Sequence, residues 1–332
     1  MQMARTLMKP FAILMSCIFA AALSETRLWA QGGAELATVL APVGATQLAP
    51  HGEGNAYAPE VMRVGDGLKM WFGAQGADGH DRIHLAESAD GVEWRQAGVV
   101  LDNGSANHVN DPSVVLVNGK FFMYYTRANV GVTDVIDLAV SDDGVHWEPK
   151  GTVLNVGAAE AWDALAVGRP SVLYAAGKFH LWYDGRRDLP LGAPDPTAPQ
   201  SASSQRHVGY ATSDDGLHWR RHGATPVFDH DAGGVHVVKI GERFAMLFES
   251  HAGTLAAVSD NGIRWQPLGL LVERADEPRE RFGHVTPFML PHADGRGATL
   301  YYGAAAAPTW DRNAIASREL TPEQWNRLQS GE

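Results

Sequence analysis

A nine-residue pattern, A-x-S-x-[DN]-G-[VLI]-x-W, occurs four times, at residues 86–94, 139–147, 211–219 and 257–265. Each copy follows an apolar–turn–aromatic hairpin, at residues 61–72, 114–125, 172–183 and 235–248. Residues 108–147 show the unit most clearly. The apolar run Val114 to Val117 meets the turn Asn118-Gly119, and an aromatic strand from Phe121 follows. A third strand then ends in Asp142-Asp143-Gly144, and Trp147 opens a fourth. Asn-Gly between β-prone runs is a strong hairpin signal. A fifth hairpin, residues 287–302, precedes a divergent third strand at 313–320. Five copies at a spacing near fifty residues predict an all-β chain, a five-bladed β-propeller of four-stranded antiparallel blades.

The strand before the first copy is accounted for in the same way. Ala37-Thr38-Val39-Leu40 matches Gly151-Thr152-Val153-Leu154, the outer strand of the second unit, whereas the fifth unit lacks an outer strand. The N-terminal strand is therefore expected to complete the last blade and close the ring, which leaves no free sheet edge. Residues 321–332 read as helical or frayed. Residues 188–204, rich in Pro, Ala and Ser, are an insertion within the third unit and form a loop on one face. The repeated tryptophans read as packing residues, because a binding site is used once and a repeat feature in every blade.

Residues 1–30 carry a basic start, Arg5 and Lys9, and an apolar segment at 11–23, the pattern of a secretory signal. The segment is too short to span a bilayer. The expected organisation is a signal at 1–30 and one domain at 31–332, with a periplasmic or secreted location. Cys17, the one cysteine, lies in the signal, so the mature chain has no disulfide. The whole chain carries −11 and the signal +2, which leaves −13 on the remainder. That charge argues against nucleic acid and anionic membranes as partners.

Function is sought where the repeats differ. The inner strands begin at Tyr57-Ala58-Pro59-Glu60, Asn110-Asp111-Pro112-Ser113, Gly168-Arg169-Pro170-Ser171, Gly234-Val235-His236 and Val285-Thr286-Pro287. Proline at a strand's start is tolerated because its missing N–H lies outside the ladder. Glu60, Asp111, Arg169, His236 and His284 vary around this position. At the ends of the second strands, Asp184 and Glu249 stand where other units have Gly73, Thr126 and Gly303. Such groups converging on one mouth form a polar pocket.

The Asp111-Pro112-Ser113-Val114 step with its Tyr124-Tyr125 strand, the Tyr57-Ala58-Pro59-Glu60-Val61 step, and Trp162-Asp163 before Arg169-Pro170-Ser171-Val172 resemble the five-bladed glycosidases. Glycoside hydrolase families 32, 43, 68 and 130 are the relatives implied. The resemblance implies that Asp111 tunes the acid or stabilises the transition state, and that Glu60 contacts substrate. Where family 43 carries a Glu-Gly-Pro acid, this chain has Gly168-Arg169-Pro170. The acid is then elsewhere, is a histidine, or is absent. Glu160 and Asp163 are the nearest carboxylates, and His236 and His284 the imidazole candidates.

Glycoside hydrolysis needs one protonated and one ionised group. The catalytic candidates are Asp111, Asp163 and Glu249, and the substrate-binding candidates Glu60, Arg169, Asp184, His236 and His284. Arg169 either pairs with Asp184 or grips an anionic group on the ligand. The leading expectation is a glycosidase acting on a poly- or oligosaccharide. The alternatives are a non-catalytic carbohydrate-binding propeller and a glycoside phosphorylase. No cofactor is expected; the one ion the pattern admits is a structural calcium in the axis, held through His284 and carboxylates.

Overall fold

The computed structural model describes residues 37–40, 54–129, 133–193 and 197–332. The expected signal segment lies outside the described residues. Strand β1 (Ala37–Leu40) comes first. Strands β2 (Ala56–Val64), β3 (Gly67–Gln75), β4 (Asp81–Ser88) and β5 (Arg95–Leu101) form one antiparallel sheet in chain order. Strands β6 (His108–Val117), β7 (Lys120–Ala128), β8 (Val135–Ser141) and β9 (Glu148–Leu154) form a second. The third sheet begins with β10 (Ala166–Ala175) and β11 (Lys178–Arg186). A short parallel pair, β12 (Leu189–Pro190) and β13 (Gln200–Ser201), interrupts it within the insertion expected at 188–204. Strands β14 (His207–Ser213) and β15 (Arg220–Arg221) then complete it.

The remaining strands are β16 (His236–Ile240), β17 (Arg243–Ser250), β18 (Gly253–Ser259), β19 (Gln266–Glu273), β20 (His284–Pro291), β21 (Ala298–Ala305) and β22 (Asn313–Glu319). They join β1 in an eight-stranded sheet, in which β1 pairs with β22, and β16 with β17. Its two halves meet at a single pairing, Ser250 with His284.

The repeat pattern builds a turn. The Ser88 hydroxyl accepts the Gly91 N–H at 2.8 Å, and Asp90 Oδ1 accepts the N–H groups of Val92 and Glu93 at 2.9 and 3.0 Å. Ser141 with Asp143, Ser213 with Asp215 and Ser259 with Asn261 repeat these bonds. The turn requires a left-handed residue, and Gly91, Gly144, Gly216 and Gly262 have φ between 71° and 81°.

These turns also tie neighbouring sheets. Trp71 Nε1 donates to Gly144 O at 2.8 Å, Tyr124 Oη to Gly216 O at 2.9 Å, and Trp182 Nε1 to Gly262 O at 2.7 Å. Tyr301 Oη reaches back to Gly91 O at 3.4 Å. The pattern tryptophans flank the same aromatics edge-on, as Trp219 does Tyr124 at 5.4 Å. Trp94, Trp219 and Trp265 donate to the glycine carbonyl of their own turn. They are packing residues, as the repetition predicts.

Apolar clusters fill the spaces between sheets. Trp71, Ile83 and Leu85 meet Val114 and Met123, and Tyr124 and Leu138 meet Leu181 and Tyr183. Trp182 and Tyr210 meet Met246 and Phe248, while Leu247 and Val258 meet Leu300 and Tyr302. Met70 and Phe72, early in the chain, pack against Phe288, Tyr301 and Ile315 near its end. Helix α1 (Pro322–Ser330) opens on a Thr321–Gln324 capping box and closes on left-handed Gly331. It buries Trp325 and Leu328 against this last part of the core.

Strand β1 sets Ala37, Thr38 and Leu40 opposite Ser317, Ala316 and Ile315. Deleting Ala37–Leu40 exposes the edge of β22 and removes its ladder bonds, each worth about 1 kcal/mol net. The melting midpoint is expected to fall by several degrees; calorimetry checks this, and an unchanged midpoint would show β1 to be dispensable.

Candidate functional site

Four of the five inner strands carry the same backbone irregularity. The β2–β3, β6–β7, β10–β11 and β20–β21 ladders shift at Tyr57/Glu60, Asn110/Ser113, Gly168/Ser171 and Val285/Phe288. Within each shift lies a residue with positive φ: Ala58 at 52°, Asp111 at 50°, Arg169 at 46° and Thr286 at 43°. All four precede proline, a position from which helical backbone is sterically disfavoured. Strain of this kind costs about 1–3 kcal/mol per residue and concentrates at functional sites. Gly234, with φ 59°, holds the equivalent place ahead of β16. A Cβ there would press on the Glu249 carboxylate.

These five residues line one cavity, which Glu60 and His236 also line. Its volume is about 30 Å³, room for one or two waters but not for a sugar ring.

The ends of the second strands bind this ring together. Thr126 Oγ1 accepts the Arg169 N–H at 2.8 Å, Asp184 Oδ2 the Gly234 N–H at 3.1 Å, and Glu249 Oε2 the Thr286 N–H at 3.0 Å. Thr286 Oγ1 accepts the Ala58 N–H at 2.8 Å. Both carboxylates therefore hold the next inner strand, a task a threonine performs elsewhere.

They also face arginines. Arg169 Nη1 lies 3.1 Å from Asp184 Oδ1. Arg206 bonds Glu249 Oε1 and lies 3.9 Å from Asp184 Oδ2. Burial alone would raise the Glu249 carboxyl, but Arg206, Arg169 and the Thr286 N–H outweigh it and hold the group below its usual value. Asp111 goes the other way. Burial pushes it up to about 7, against the pull of Arg169 and a hydrogen bond with Thr126, and Asp184 and Glu249 push in the same direction. Its Oδ1 is buried without a partner. Asp111, in the cavity wall, is thus a carboxylic acid that holds its proton near neutrality, while Glu249, behind Gly234 and outside the wall, is an ionised carboxylate. That split is what acid–base chemistry at a glycosidic bond requires.

The other sequence candidates fall in four places. Glu60 lies in the cavity wall, where burial raises its carboxyl well above the usual range despite a backbone hydrogen bond from Val114. His236 is beside it, 4.2 Å from Phe288 between ring centroids and kept neutral by burial, which lowers it to about 4. Asp163 is not in the cavity wall; its Oδ2 accepts from Tyr183 Oη and Arg221 Nε, both at 3.1 Å. Glu160 lines a separate groove of about 320 Å³, edged by Trp162, Asp188 and Gln205 beside the insertion. His284 is fully buried between Thr254 Oγ1 at 2.8 Å and Glu280 Oε1 at 2.7 Å, under Tyr302. Among the described residues no group of three or more His, Cys, Asp or Glu side chains is placed to hold a metal ion.

Sequence reasoning missed Arg206, Arg186 and Asp134. Arg206 follows the insertion, and only the β11–β14 register, with Gly185 opposite His207, brings it to the mouth.

Asp111 also makes stability depend on pH. Its value rises from the usual 3.8 to about 7, so between those limits the folded chain holds a proton that the unfolded chain has lost. Stability from this group is full below pH 4 and is lost as pH rises through 7. The span corresponds to at most about 4 kcal/mol. Urea unfolding at pH 4 to 8 should show a decline that is smaller in Asp111→Asn. Parallel curves would place Asp111 in a wetter setting.

No family model matches the sequence. Two uncharacterised proteins of Mycobacterium tuberculosis, from strains ATCC 25618 / H37Rv and CDC 1551 / Oshkosh, are each 25% identical over 230 residues, 62% of this chain and 73% of theirs. Among solved structures, a glycoside hydrolase superposes with a TM-score of 0.67 at 18% identity, over 87% of this chain and 91% of its own. A family 117 glycoside hydrolase of the marine bacterium Zobellia galactanivorans gives 0.65 at 18%, covering 87% and 92%. A thermostable family-43 glycoside hydrolase gives 0.60 at 16%, covering 85% and 92%. The chain shares the all-β, propeller-like fold of these glycoside hydrolase structures.

Proposed function

We propose that this protein is an exported glycosidase acting on a poly- or oligosaccharide at the mouth formed by the inner strands. The observation that carries this reading is the split between Asp111 in the cavity wall and Glu249 just behind Gly234. Asp111 would protonate the leaving oxygen, and Glu249 would act as the ionised partner. Arg206 and the Thr286 N–H would hold Glu249, and Thr126 would hold Asp111, with Arg169 as the nearby charge. The groove beside the insertion gives a longer saccharide a second surface. Export is read from the basic and apolar segments of residues 1–30.

The same reading includes a five-bladed ring, with the eight-stranded sheet comprising two blades. Pairing of β1 with β22, the bond from Tyr301 to Gly91, and those from Ala58 to Thr286 and Asn313 to Asn55 support closure between the ends of the chain. A carbohydrate-binding propeller without catalysis is the second reading. It is favoured by the bonds that tie Asp184 and Glu249 to backbone, which give both carboxylates a structural duty.

The test is release of reducing ends from a panel of plant, algal and bacterial polysaccharides. Release from at least one is expected; saccharide binding with no cleavage across the panel would favour the binding reading.

A further inference from the structure

Two residues beyond Asp184 on β11, and on the same face by the period of a strand, stands Arg186. The ladder sets it opposite Ala166 and sets Asp184 opposite Gly168, so Arg186 lies on the outward side of the Arg169–Asp184 pair. Across β11 the register pairs Gly185 with His207, which brings Arg206 alongside. Three arginines therefore lie near one another, and of these Arg169 lines the cavity. Two of them have ion-pair partners: Arg169 has Asp184 and Arg206 has Glu249. Among the described residues the Arg186 side chain has no ion pair or hydrogen bond, although it is partly buried.

The carboxylates around Arg186 are Asp184, Asp231 and Asp134. Asp184 is engaged by Arg169 and the Gly234 N–H, and Asp231 accepts the Arg206 N–H at 3.1 Å. Burial raises the Asp134 carboxyl, so it is a weak counter-charge. Arg186 is only partly buried and none of its nitrogens is both buried and unpartnered, so its guanidinium remains open to a ligand from solvent. Burial, Arg206 and Arg169 each lower the guanidinium's affinity for its proton, as expected where positive charges crowd.

We propose that Arg186 anchors an oxyanion at this mouth, delivered either as the carboxylate or sulfate of an acidic sugar or as free phosphate. The proposal rests on the carbohydrate reading of the mouth and adds the chemical class of its ligand. The planar fork of a guanidinium takes two oxygens of such a group at once, which an ammonium does not.

The test compares full-length wild type, Arg186→Met and the exposed control Arg95→Met by calorimetric titration with phosphate, sulfate, glucuronate and a neutral oligosaccharide. Wild type is expected to bind at least one of the three anions. Its affinity should fall at least tenfold in Arg186→Met and be unchanged in Arg95→Met. Phosphate in preference to glucuronate identifies the free anion as the source, and the reverse identifies the sugar. The Arg186→Met melting midpoint should equal or exceed that of wild type, since an unpaired charge is removed. Equal anion affinities in wild type and Arg186→Met, no anion binding at millimolar concentration, or a lowered midpoint would each overturn the proposal. Binding of the neutral oligosaccharide alone would do so while leaving the carbohydrate reading intact. Arg186-dependent phosphate binding in a protein that binds no saccharide would uphold the anion site and refute that reading.

Discussion

Asp111→Asn should lower kcat on any saccharide the protein cleaves by about 10²- to 10⁴-fold, the usual worth of a positioned proton donor. Asparagine keeps the size of the side chain and a polar contact to Thr126, but has no proton to give. Saccharide affinity should persist, because the rim made by the bulged inner strands does not depend on that proton. Steady-state kinetics beside a binding titration separate the two effects. A variant that retains kcat would remove Asp111 from the chemistry, and one that loses binding as well would mark it as a substrate contact.

Arg169→Met should destabilise the fold by about 1–3 kcal/mol, less than the ~3–5 kcal/mol of a fully buried pair because the Arg169 side chain is 31% exposed. Asp184 is 3% exposed and would keep only the Gly234 N–H and the more distant Arg206. The loss of positive charge would also raise Asp111 further, since Arg169 is the main charge pulling it down. The double variant Arg169→Met with Asp184→Asn should recover part of the loss, because the stranded charge is gone. Urea unfolding of the set reads this coupling directly. A single variant as stable as wild type would show that Arg169 serves a ligand and not the scaffold.

Much of the fold was legible because it is repetitive. The Ser-x-Asp-Gly-x-x-Trp turns repeat the same bonds at Ser88, Ser141, Ser213 and Ser259, and the sequence pattern is a direct image of that geometry. The fourth turn uses Asn261, whose amide oxygen accepts the same two N–H groups. The fifth unit diverges because its third strand ends in no such turn: β22 runs on to the capping box of α1. The pairing of β1 was readable from four residues, as their resemblance to an outer strand reflects the place they occupy beside β22.

The site was legible by element but not by charge. The Pro steps marked the inner strands, yet the left-handed backbone before each proline was not foreseen, since proline disfavours it. Asp111 and Arg169, which line the cavity, both have that conformation. The Arg169–Asp184 pair was one of two readings open from the sequence, because both residues break the repeat at neighbouring positions. Asp163 and His284 also break it, but their side chains turn to Arg221 and Glu280, and a linear pattern does not report side-chain direction. Arg186 and Arg206 escaped notice because their meeting depends on register across a chain insertion.

The central claim is that one carboxyl of the mouth keeps its proton near neutral pH while its neighbour is ionised. Titrating carboxyl carbon resonances of wild type, Asp111→Asn and Glu249→Gln by NMR tests it. The account predicts one resonance with a midpoint near 7 that vanishes in Asp111→Asn, and one with a midpoint below 4.5 that vanishes in Glu249→Gln. An Asp111 midpoint near 3.8 would contradict it, because both carboxyls would then be ionised and neither could serve as the acid.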